Sequence, residues 1–167
     1  MSSDTVGSDR ARRLLTFGFT AVAALAIEQL GSYLVTSRLP EYHTHVVTSV
    51  IYLTHLRNTG GVFSLLPGHG AVFVVISSIT ILGFCLYVAK STTMALYQSI
   101  CFGLIVGAAA GNVCDRLVYG AVIDFIDIQG IPHWHYIFNI ADFTIHLGAW
   151  PLVIGSLVRG RAAHPAV

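Results

Sequence analysis

Four apolar runs, at residues 14–35, 69–89, 94–114 and 138–157, alternate with polar segments along the chain. Each is about 20 residues long, the length a helix needs to cross a bilayer. Only Lys90-Ser91-Thr92-Thr93 separates the second run from the third, so these two form an antiparallel helical hairpin. The first run exceeds the core of a cleavable leader, about 7 to 15 residues, and no small-residue cleavage site follows it, so a retained first span is expected. Between the first and second runs the pattern changes to polar and β-branched residues, from Tyr42 through Val46-Val47-Thr48 to Thr54. That is strand composition, too short and too polar to span, and it predicts a β-rich element of about residues 37–66 at the membrane surface. Residues 117–136 are expected to form an extramembrane loop carrying interfacial aromatics, Trp134 and Tyr136 among them. The pattern thus predicts an all-α membrane protein with a small β element: four transmembrane helices under an extracytoplasmic β-rich cradle. Its body covers residues 14–158, with short tails at 1–13 and 159–167.

Composition agrees with a membrane class. The chain is 54% hydrophobic and 10% charged, with mean hydropathy +0.72, whereas soluble domains carry about 25% charged residues. A net charge of +1, with no basic patch interleaved with aromatics, gives no reason to expect a nucleic-acid partner. Cys85, Cys101 and Cys114 lie in apolar runs without CxxC spacing, which suits small packing residues better than a disulfide or zinc framework. Arg10, Arg12, Arg13, Lys90, Arg159 and Arg161, six of the nine basic residues, fall on one side of a four-span layout. The positive-inside rule makes that side cytoplasmic, with both termini, and puts the β-rich element outside.

Against this background the acidic residues stand out. Asp115, Asp124 and Asp142, three of eight, are flanked by apolar residues. An ionised carboxylate near hydrocarbon costs several kcal/mol unless it is paired or lines a wet cavity. Two carboxylates held together in a poorly solvated site share a proton, which equips them to activate water and to protonate a leaving group. The expectation is an intramembrane aspartyl hydrolase. Asn112, Asp115 and Arg116, spaced i, i+3, i+4, share a face at the end of the third helix, where an Asp115–Arg116 pair could also simply terminate it. Glu28-Gln29 in the first span either sits at its outer end or faces the interior to hold the site. Asn58-Thr59-Gly60-Gly61 allows a tight turn presenting backbone groups, anchored by Phe63. Gly103, Gly107 and Gly111 recur every four residues and admit either a packed helix or a substrate helix. His146, one turn beyond Asp142, reads as an interior residue and not as the base. The pairs His43/His45 and His133/His135 have no third ligand at suitable spacing, so no metal or other cofactor is called for.

Three stretches carry a family resemblance. Asn58-Thr59-Gly60-Gly61-Val62-Phe63 resembles an NxGxxF motif, Gly111-Asn112 through Asp115-Arg116 to Val122-Ile123-Asp124-Phe125 resembles GNxxDRxxxGxVxDF, and Phe138-Asn139-Ile140-Ala141-Asp142 resembles FNxAD. These are motifs of lipoprotein signal peptidase, also called signal peptidase II, and their order and spacing agree over about residues 14–158. The resemblance implies a bacterial inner-membrane aspartyl endopeptidase that removes the signal peptide of diacylglyceryl-modified prolipoproteins, cutting before the lipidated cysteine. By position, Asp124 and Asp142 match the catalytic pair. Asn58, Gly60, Asn112, Arg116, Asn139 and Ala141 match residues around the site, and Asp115 a structural brace for its helix end and Arg116. Partners implied are the lipidated prolipoprotein, membrane lipid, and cyclic peptide antibiotics such as globomycin as inhibitors.

The chain departs from this pattern in two places. Glu28-Gln29 replaces an Asp-Gln pair, with Ser32 where a Lys commonly follows, and Phe143 stands where a small residue is usual. These departures define an alternative, a specialised or catalytically weak relative that binds lipoproteins or a peptide antibiotic. A channel or transporter with a carboxylate proton path fits the composition, but there is no internal repeat and the aspartates lie near one surface.

Overall fold

The computed structural model describes residues 3–61 and 65–163, with side chains for 7–61 and 65–159. Phe63, expected to anchor the glycine turn, lies outside the described residues. Four helices account for the apolar runs: α1 (Ser3–Arg38), α2 (Gly70–Lys90), α3 (Leu96–Tyr119) and α4 (Ile140–Ala163). All four are long and apolar enough to cross a membrane, with mean hydropathy from 1.3 to 2.4 over their most apolar stretches. The chain is a multi-pass membrane protein.

α1 begins well before its apolar run, because its polar first turns have partners beyond the span. Arg10 donates to the carbonyl of Ala89, and Arg13 to those of Thr92 and Met94, so the basic end of α1 ties down the α2–α3 turn. α3 is the hub, packed against each of the other three helices. The glycine stripe serves this packing. A Cβ on Gly103 would come within 2.8 Å of the Phe17 carbonyl oxygen, and one on Gly107 within 2.8 Å of Ala24 Cβ. Both positions are filled by α1, which leaves no room there for a substrate helix.

The outer layer is a four-stranded antiparallel sheet in the order β1 (Thr44–Val46), β2 (Ile51–Asn58), β3 (Val122–Ile128), β4 (Ile137–Phe138). Here the expectation of a loop over 117–136 is corrected. α3 runs on to Tyr119, closes on Gly120 with φ 75°, and the chain returns at once as the central strand β3. Val122-Ile123-Asp124-Phe125 is a continuous buried run, and such a run suits a strand covered on both faces. Ile123 and Phe125 form a core with Val35 of α1, flanked by Leu53, Tyr119, Ile126 and Ile140. A register shift between Leu53 and Leu56 puts one extra residue in β2. Beyond the shift, Leu56 pairs with Asp124 and Asn58 with Val122, which brings Asn58 and the glycine turn after it to the level of the aspartate.

Candidate active site

The site forms where three elements end. β3 contributes Asp124, the last turns of α3 contribute Asn112 and Arg116, and the first turn of α4 contributes Asp142. Asn139 immediately precedes α4 and caps it. Its Oδ1 accepts from the Asp142 N–H at 2.9 Å, and the Asp142 carboxylate accepts from the Asn139 N–H at 3.3 Å. This is a reciprocal capping box, which fixes the Asp142 rotamer through the helix start itself. The Asn139 amide then reaches Asp124 Oδ1 at 3.1 Å and Asn112 Oδ1 at 3.0 Å. One fully buried asparagine therefore links both carboxylates, and the Asn112 side chain completes the circuit to Asp142.

The second oxygen of Asp124 accepts from Asn58 at 2.9 Å. Asn58 also donates to the Gly61 carbonyl and accepts from the Gly60 N–H, so the asparagine–glycine turn holds itself in shape while serving the carboxylate. Arg116 donates to the carbonyls of Asn112 and Gly60 and lies over the Phe73 ring, pinning that turn to α3. Asp124 is 3% exposed. Burial pushes its carboxyl up to about 7, opposed by the bond from Asn58 and reinforced by the nearby Asp142.

Behind the pair is a second carboxylate layer. Glu28 is fully buried and accepts from the Ala141 N–H at 2.7 Å, so α1 caps a free donor in the first turn of α4. Of the two placements open for Glu28, the interior one is observed. Asp115, also fully buried, accepts from Gln29 and Ser32 of α1, each at 2.8 Å, and from the Ile123 N–H at 3.1 Å. The expected Asp115–Arg116 brace is corrected in this respect: Asp115 turns toward α1 and β3, while Arg116 turns toward the glycine turn. Ser32, one of the two departures in α1, thus supplies a neutral hydrogen bond to Asp115. The role of Ser32 escaped the sequence because a partner 83 positions away leaves no local signal, whereas Gln29 takes the interior placement, one of the two open to it.

A cavity of about 570 Å³ opens in front of Asp124 and Asp142, walled by aromatics including Trp134, Tyr136, Phe138 and Phe143. Trp134 packs edge-on against Tyr136 and Phe138. His146, expected in the interior, instead lies on the wall of this cavity, because the first turns of α4 face it. All the sequence-predicted site residues are brought together. Asn58, Asn112, Arg116, Asp124 and Asp142 line the cavity, Gly60 and Asn139 brace it, and Ala141, Glu28 and Asp115 sit one layer behind.

Four spans under a small sheet, with paired carboxylates facing a membrane-level cavity, define a membrane-embedded enzyme of the aspartic-peptidase type. The architecture is similar to that of a solved bacterial membrane enzyme determined by the in meso method at 2.3 Å resolution, with a TM-score of 0.81, 25% identity, and coverage of 91% of this chain and 93% of that one. The family model for signal peptidase (SPase) II matches residues 20–158, and the chain belongs to that family. Among relatives, the lipoprotein signal peptidase of Actinobacillus succinogenes is 34% identical over 152 residues, covering 88% of this chain and 93% of its own. That of Caldicellulosiruptor bescii is 43% identical over 116 residues, covering 70% and 73%.

Proposed function

We propose that the protein removes signal peptides from diacylglyceryl-modified prolipoproteins, cutting before the lipidated cysteine by aspartyl catalysis at Asp124 and Asp142. The observation that carries this reading is the Asn139 bridge between the two carboxylates at the mouth of an apolar cavity. Asp124, pushed up to about 7 by burial, supplies the protonated partner. Asp142 supplies the ionised one, in the first turn of α4 where the helix dipole favours negative charge. Asp142 takes a proton from water as the oxygen attacks the scissile carbonyl, and Asp124 donates its proton to that carbonyl oxygen. Collapse of the tetrahedral intermediate returns the hydroxyl proton to Asp124 and passes the Asp142 proton to the departing amine. The aromatic and aliphatic wall suits a lipidated, apolar substrate. Bacterial inner-membrane placement is what membership of the family implies, the six-to-three distribution of basic residues supports cytoplasmic termini, and cyclic peptide antibiotics such as globomycin are candidate occupants of the same cavity.

A gel-shift assay in liposomes with a diacylglyceryl-modified prolipoprotein tests the reading. Wild type is expected to release the signal peptide, and Asp124→Asn and Asp142→Asn each to lose at least about 10³-fold in rate, since neither amide can exchange the required proton. Cleavage persisting in both folded variants overturns the mechanism.

A further inference from the structure

The cavity beside the carboxylate pair continues along α4, where His146 lines it. His146 is four residues beyond Asp142, which at 1.5 Å per residue sets it about 6 Å deeper in the span, away from the sheet. Its Nδ1 lies 2.8 Å from the Asp142 main-chain oxygen. A carbonyl can only accept, so in the neutral ring Nδ1 carries the hydrogen and Nε2 keeps its lone pair. Several other polar groups on the wall are committed within the protein: the Asn58 amide to Asp124 and Gly61, the Arg116 terminal nitrogens to Asn112 and Gly60, and Trp134 Nε1 to Tyr136. His135, also on the wall, belongs to the β3–β4 connection in the surface layer and not to a span. One turn along α4 from Asp142, His146 Nε2 is an acceptor with no hydrogen-bond partner among the described residues, offered to what enters.

A peptide bond inside a helix is shielded by its own turn, so a membrane-spanning substrate must unwind where it meets the two aspartates. Each main-chain N–H freed in this way inside hydrocarbon needs a new acceptor. We propose that His146 Nε2 is that acceptor, binding a main-chain N–H of the signal peptide just before the scissile bond. An extended chain advances about 3.3 Å per residue, so an acceptor about 6 Å below the carboxylates falls opposite one of the last two or three residues of the signal peptide. The inference rests on the proposed peptidase activity and adds a substrate-binding residue to it.

The test uses the full chain in liposomes and a synthetic diacylglyceryl lipopeptide spanning the cleavage site. In a companion series, an ester oxygen replaces the N–H of each of the three residues before the scissile bond. His146→Leu is expected to raise KM by roughly fivefold to tenfold at little changed kcat, the loss of one hydrogen bond. His146→Gln, which keeps an acceptor, recovers most of it. One ester substrate raises the wild-type KM by a similar factor and leaves that of His146→Leu unmoved. A ring that only packs predicts the same ester penalty in both proteins, and that result, or a wild-type KM in His146→Leu, overturns the assignment. If His146→Leu does not fold, His146→Phe, which keeps a ring without an acceptor, takes its place in the same comparison, and an ester penalty equal to that of wild type overturns the assignment. Loss of cleavage in Asp124→Asn with no His146 effect sinks this inference alone, whereas no cleavage by wild type sinks the proposed activity with it.

Discussion

Asn139 does two jobs with one side chain, capping α4 through its Oδ1 and bridging to Asp124 through its amide. The geometry of Asp142 is inherited from a helix start, and that of Asp124 from a strand, so neither carboxylate depends on a loop. Asp124 also leaves a thermodynamic mark. Its folded carboxyl, at about 7, lies above the ordinary value near 3.9, so the native state holds a proton that the unfolded chain releases. Stability from this group is present in full below pH about 4 and is lost as pH rises through 7. Asp124→Asn has no such proton to lose. Its melting temperature in detergent is expected to gain on that of wild type by roughly 5 °C or more between pH 5 and pH 8, and parallel curves for the two proteins would refute the burial argument.

Among the elements, α1 sets the others in place. Its glycine-lined seam with α3 fixes the height of Glu28 and Ser32, and these in turn fix the start of α4 and the Asp115 anchor of β3. A side chain at Gly107 must displace the α1 backbone at Ala21 and the Ala24 methyl. Overpacking of this kind costs typically 1–3 kcal/mol. Gly107→Val is therefore expected to lower the unfolding free energy by about 3 kcal/mol and to reduce cleavage as well, since the same seam positions Glu28. Steric trapping or denaturant titration in micelles measures the first effect, and unchanged stability would mean that α1 and α3 do not pack as described.

At the scale of the molecule, four spans put the first turns of α1 and the last turns of α4 beside the α2–α3 turn, with the sheet at the opposite end. With the native cysteines replaced by alanine, single cysteines at Thr48 and Gln129 are expected to react with an impermeant maleimide added to intact spheroplasts. One at Ser91 should react only after the membrane is opened, and the reverse pattern would invert the proposed orientation. The spans, the strands of the first surface segment and the aspartates set among apolar residues were legible in the chain, because hydrocarbon length, β-branched composition and the placement of charge are local signals. Less was legible where a residue's meaning depends on a distant partner. Residues 117–136 read as a loop because β3, the strand within them, finds its long partner only in β2, a segment some seventy positions earlier, and pairs on its other side with the two-residue β4 that follows. Asp115 read as a partner for its neighbour Arg116, yet α1 offers it two donors, and a buried carboxylate takes the donors that reach it without solvent. The sequence alone determined the membrane class, the number of spans and the three carboxylates placed among apolar residues, Asp115, Asp124 and Asp142. Tertiary structure alone decided that Glu28 faces inward, that Asn139 joins Asp124 to Asp142, and that His146 meets the cavity, since each depends on which helix face packing against α1 and α3 leaves open.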